Sequence, residues 1–176
     1  MNKDEFIFNL ILKAPFIIIF IIIVIYKIYK ISISKIEEIT VSIENSQEEI
    51  SINLLNKYNY ITKIIDIINK NIKYEYEPLF DVKMIRYAKT INEIISLNNI
   101  LNDNLKYIDI LIQNNSVIKN EINELKKKII QVEKQLQASK RLYNSYITSY
   151  NKLLATFPNN IIAKIKKNYK KEYFIS

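Results

Sequence analysis

Apolar residues recur every three or four positions along two long stretches of the chain. The first runs Ile36, Ile39, Ile43, Gln47, Ile50, Leu54, Tyr58, Ile61, Ile65, Ile68 and Ile72, interrupted by a polar side chain only at Gln47. The second runs Ile118, Ile122, Leu125, Ile129, Val132, Leu136, Ser139, Tyr143, Ile147, Tyr150 and Leu154. Steps of three and four predict α-helices with one buried face. Each stripe is about 54 Å long at helical rise, and equal lengths suit antiparallel packing in a bundle.

Ahead of the first stripe the pattern disappears into an uncharged run, APFIIIFIIIVIY, from Ala14 to Tyr26. Ile28, Tyr29, Ile31 and Ile33 extend it toward the roughly 20 residues needed to cross hydrocarbon, and Lys13, Lys27 and Lys30 can reach either interface. Pro15 fits a first helical turn, where a missing donor costs nothing. A cleaved signal peptide would need small residues after the run, and Lys27-Ile28-Tyr29-Lys30 offers none. A buried core helix would need a polar face for water, and the run has none. An uncleaved anchor at about residues 12–32 is therefore expected. With no Gly or Pro between Lys27 and Glu77, it should continue into the first stripe as one helix, ended by Glu77-Pro78.

Between the stripes, a second helix is expected from Leu79 to about Leu97, with Phe80, Met84, Ala88, Ile91 and Ile95 on one face. Asn98-Asn99 and Asn102-Asp103-Asn104 read as capping and turn residues. A short third helix through Leu105, Ile108 and Leu111 or Ile112 then leads to a turn at Asn114-Asn115-Ser116 and a last helix from about Ser116. A single bent helix through this middle region is the alternative. The fold class is all-α: an N-terminal transmembrane helix followed by an antiparallel four-helix bundle of long, coiled-coil-like helices. The expected division is an anchor at 1–32 and a bundle domain at 33–176.

Composition narrows the chemistry. The 176 residues include no Gly, Cys, Trp or His. Missing Cys and His remove disulfides, thiolate catalysis, the usual zinc sets and the commonest general base. The clusters Glu37, Glu38, Glu44, Glu48, Glu49 and Glu121, Glu124, Glu133 lie between stripe positions with Lys nearby, so they read as solvated helix faces rather than metal or acid–base sites. There is no Gly-rich phosphate loop and no nucleophile with a base beside it. No enzyme activity, no metal and no cofactor are expected. The formal charge of +8 is spread along the chain, as a Lys-rich solvated surface would have it.

The exception is the closing stretch. Tyr143-Asn144, Tyr150-Asn151 and Phe157-Pro158 recur at intervals of seven, placing three rings on one face of a helix that must stop at the proline. The rings read either as a recognition surface or, the favoured reading, as core in line with Leu136 and Leu154, and Asn144 and Asn151 are expected to bond across to the first helix and fix its register. After Pro158, Lys164, Lys166, Lys167, Lys170 and Lys171 alternate with Ile165, Tyr169, Tyr173 and Phe174. That tail fits either a short capping helix folded back on the bundle or a surface for anionic lipid or an acidic partner.

This stretch resembles the closing segment of the LemA family of membrane-anchored helical proteins. The shared form is YN, five residues, YN, five residues, FP, a small-polar pair, two aliphatics, Ala and a terminal Tyr-Phe. Here it is carried by Tyr143, Asn144, Tyr150, Asn151, Phe157, Pro158, Asn159, Asn160, Ile161, Ile162, Ala163, Tyr173 and Phe174. Glu133, Leu136 and Lys140 sit where the family has Glu, an aliphatic and a basic residue. Lys57 to Ile64 resembles in pattern an earlier signature whose Asp, Pro and Asn are here Asn59, Thr62 and Lys63, with Glu75 at a later acidic position. Lys167-Asn168 stands in place of the family's Gly-Phe step. The resemblance implies a short outer amino terminus and a cytoplasmic body. Lys27, Lys30 and Lys35 on the inner flank against Lys3 and Lys13 lean the same way.

The function expected is a single-pass, cell-membrane scaffold or interaction protein acting on an unidentified protein partner, with self-association open and nucleic acid disfavoured. The alternative is a peripheral regulator that binds anionic lipid through the Lys and aromatic tail.

Overall fold

A computed structural model describes residues 3–72, 90–113 and 116–175. Those residues form helices and short irregular connections, with no strand among them. The helices are α1 (Lys3–Ile72), α2 (Ile91–Ile112), α3 (Ser116–Glu121), α4 (Asn123–Ala155) and α5 (Asn159–Lys166). The chain divides into two compact units, Met1–Thr40 with Ser149–Lys170, and Val41–Thr148 with Lys171–Ser176.

As the unbroken pattern from Lys27 required, α1 is a single helix, but it starts at Lys3, so Pro15 lies inside it and not in its first turn as expected. The expected stop at Glu77-Pro78 lies outside the described residues. Both predicted stripes are core: Ile43, Ile50, Leu54, Ile61, Ile65 and Ile68 on α1 are buried, as are Ile129, Val132, Leu136, Tyr143 and Ile147 on α4. Fully burying one such aliphatic side chain contributes about 1.5–3 kcal/mol, which fixes the faces these helices present.

The middle region differs from the expectation of two helices broken at the asparagines. Thr90 has extended backbone angles, its side chain accepts from Glu93 N–H, and the Glu93 carboxylate accepts from Thr90 N–H, each at 3.2 Å. This reciprocal cap starts α2 at Ile91, so a helix running on to Leu97 from Leu79 is excluded, and positions 79–89 lie outside the described residues. From there α2 continues unbroken to Ile112. Asn98 and Asn104 are buried inside it rather than turning the chain. The predicted turn at Asn114-Asn115 also lies outside the described residues. A helix does begin at Ser116, and the bonds Ile122 N–H to Ile118 O and Lys126 N–H to Ile122 O carry the helical pattern from α3 into α4.

α4 ends at Ala155, before Pro158, and α5 follows. Lys167 takes left-handed angles (φ 55°, ψ 37°), a conformation that favours glycine. Its N–H bonds Lys164 O, and Asn168 N–H bonds Ala163 O at 2.9 Å. The paired bonds that close a helix before a left-handed residue are thus kept without glycine, at the steric cost a Cβ brings there. Lys167→Gly should raise the unfolding free energy by about 1 kcal/mol, read as a higher denaturant midpoint at unchanged slope.

Candidate functional site

The second compact unit has a charged interior. Lys57 lies on α1 three residues after Leu54 and four before Ile61, a helical step that points it inward, and its side chain is 0% exposed. Its ammonium donates to Glu133 Oε2 on α4 at 2.7 Å, to Asn102 Oδ1 on α2 at 2.5 Å, and to Asn98 Oδ1 at 3.5 Å. One ammonium thus uses its three donors on two helices besides its own. One turn away, Asn53 Nδ2 donates to Ser139 Oγ at 3.3 Å, and Ser139 donates to Gln135 O within α4.

Electrostatics couples this cluster to Lys140. Burial alone would raise the Glu133 carboxyl, but the hydrogen bond and charge of Lys57, helped by Gln137 and Lys140, outweigh it and hold it below its ordinary 4.5. Burial lowers the Lys140 ammonium from its ordinary 10.5; Glu133 pulls it back up and the like charge of Lys57 adds to the lowering. Lys140 Nζ is buried without a hydrogen-bond acceptor and sits 4.6 Å from the centre of the Phe174 ring. The ring face is its compensation.

Phe174 reaches that position because the chain after Lys167 is a non-helical strap whose last part docks on α4. Asn144 grips it at both backbone groups: Phe174 N–H donates to Asn144 Oδ1 at 2.7 Å, and Asn144 Nδ2 donates to Phe174 O at 2.9 Å. Tyr143 OH donates to Glu172 O at 3.2 Å, and Asn92 Nδ2 on α2 donates to the Glu172 carboxylate. Burial, and then the Glu172 charge, push the Tyr143 phenol above 10.0. Asn144 therefore fixes the strap, not the register of α1 as its place beside the stripe suggested. Tyr143, Asn144 and Phe174, far apart in the closing motif, are brought together in one clamp, while the exposed Tyr173 hydroxyl accepts from Thr148 Oγ1 at 3.5 Å.

The other motif residues belong to the first unit. Tyr150, Leu154 and Ala163 are buried there and Asn151 is half-buried, with the Tyr150 phenol raised by burial. Phe157 departs from the expected ring stripe: α4 has already ended, and the ring is 78% exposed. The basic tail also splits. Lys164, Lys166, Lys167 and Lys170 are exposed with Tyr169, whereas Lys171 is half-buried and Phe174 is buried. The acidic clusters are exposed apart from Glu133, which turned inward because Lys57 is there to meet it.

The inward charges had a signal in the sequence. Lys57 continues Leu54 to Ile61, and Lys140 continues Leu136 to Tyr143, by the same three- and four-residue steps as the apolar stripes. A route through Tyr58 fits as well by period, and the choice between the two depends on the partner carboxylate.

The LemA family model matches residues 46–176, from the second half of α1 through the docked strap. No curated protein matches the chain.

Proposed function

The chain belongs to the LemA family, and from that premise we propose that it is a single-pass, membrane-anchored helical scaffold that holds protein partners at the membrane and has no catalytic activity. The carrying observation is the helical run Phe16–Ile25, whose large apolar side chains are all exposed, Phe16 at 71% and Ile25 at 61%. A run this rich in β-branched residues has modest helix propensity in water and gains nothing from exposure there. In hydrocarbon every backbone group must bond within the segment, which makes the helix the stable form and the apolar surface its proper face. α1 is long and apolar enough to cross a membrane by length and composition.

The body beyond it reads as an antiparallel bundle of the helices that Lys57 ties together, facing the cytoplasm on the side of Lys27, Lys30 and Lys35. Residues without His or Cys, and carboxylates that mostly face water, favour a binding role over a chemical one. Alkaline carbonate extraction of membranes tests the anchor: the full chain should stay with the lipid, and its release into the supernatant would end the reading. Crosslinking in intact membranes then tests the scaffold. A protein partner retained at high salt supports it, whereas retention that collapses with salt favours the peripheral, lipid-binding alternative.

A further inference from the structure

We infer that α5 is a second membrane contact, an amphipathic helix whose exposed edge rests on the anionic surface of the bilayer that α1 crosses. The inference rests on the membrane reading of α1. The first compact unit contains, besides α1, only Ser149–Lys170, so it is this segment that stands beside the α1 residues up to Thr40. Along α1 the side chains from Leu12 to Ile31 are exposed apart from half-buried Ala14 and Tyr29, and burial begins at Ser32 and Ile36, each 4% exposed. The point where protein packing replaces the lipid-facing surface is the edge of the hydrocarbon. A helix packed in the same unit sits at headgroup level.

α5 carries the surface such a position needs. Asn159, Ile162 and Ala163 face inward and are buried. On the other side Ile161 and Ile165, four residues apart, are 51% and 68% exposed, and Phe157, in the turn just before the helix, is 78% exposed. Lys164, Lys166 and Lys170 flank them, all exposed. An apolar edge bordered by lysines is the pattern of a helix lying in the interface, with rings and aliphatics among the upper acyl carbons and ammonium groups at the lipid phosphates. A protein partner would also cover the apolar edge, but the anionic bilayer explains the lysines and is already next to the unit.

The chain has no cysteine, so single labels are unambiguous. Full-length protein bearing Ile165→Cys, or Ile22→Cys as a control within the span, is labelled with an environment-sensitive fluorophore. Each is reconstituted in vesicles of equal parts phosphatidylcholine and phosphatidylglycerol containing nitroxide-labelled lipid. Quenching at both positions is expected, and Lys164→Gln with Lys166→Gln and Lys170→Gln should reduce the docked population at position 165 about tenfold or more. Quenching at 22 without quenching at 165 overturns the α5 contact and leaves the anchor standing. No quenching at 22 removes the anchor and the inference together. Equal quenching at 165 with and without the three lysines overturns its electrostatic part.

Discussion

Glu133→Ala should lower the stability of the folded chain by about 3 kcal/mol, the lower end of the range for stranding a buried charge, because the Glu133 side chain is itself 34% exposed. The loss falls on Lys57. Its side chain is fully buried, and without the carboxylate its ammonium keeps only the carbonyl oxygens of Asn98 and Asn102. The reciprocal change is gentler. Lys57→Met removes the buried charge and leaves a carboxylate that water already reaches, so it should cost less than half as much. Chemical denaturation of the two variants in the same detergent checks the order, and equal losses would show that Lys57 is not the group at risk.

The same pair sets the acid limit. Glu133 has a folded pKa below its ordinary 4.5, so its stabilisation is fully present above that value and is lost as pH falls through the folded value. Lys140, with a folded pKa below 10.5, acts in the opposite range: the unfolded chain holds that proton more tightly, so stability should rise with pH between the folded value and 10.5. Glu133→Gln should flatten the acid limb and, by removing the charge that pulls the Lys140 ammonium back up, start the alkaline rise at a lower pH.

Phe174→Ala should cost about 3 kcal/mol and free the strap, with Asn144→Ala close behind at about 2 kcal/mol. The Phe174 loss sits low in the range for a buried ring because removing it lets water reach the Lys140 ammonium, relieving a group that otherwise has no acceptor. Asn144→Ala strands the N–H and the carbonyl of the same residue, Phe174. Both variants should be cut by trypsin after the half-buried Lys171 far faster than the parent chain. Unchanged cleavage would mean that the strap is held by something other than this clamp.

Periodicity revealed the two long helices, the uncharged run and most of the core, because each rests on many residues that agree. The breaks were harder to read. Asn98 and Asn102 look like turn residues by composition, yet their side chains are acceptors for an ammonium on another helix, a demand no local window contains. The start of α2 is set by Thr90-Ile91-Asn92-Glu93, whose reciprocal cap outweighs the apolar steps running through it and which the apolar period alone passed over. Asn144 was legible as a hydrogen-bonding residue at the edge of a stripe, but its partner is the backbone of Phe174, and a backbone partner leaves no side-chain signature. Phe157 failed as core because its seven-residue spacing outlasts the helix that gave the spacing meaning.

The strap has a kinetic consequence. Its bonds to Tyr143 and Asn144 join residues 29 and 30 positions apart, and closing a loop of that size costs on the order of 3 kcal/mol in chain entropy. That cost is recovered only when Phe174 is fully seated, so the clamp should form after the folding barrier has been crossed. Substitutions at Asn144 or Phe174 would then leave the folding rate nearly unchanged and appear almost wholly in the unfolding rate, making the clamp a determinant of how long the folded state lasts rather than of how quickly it is reached.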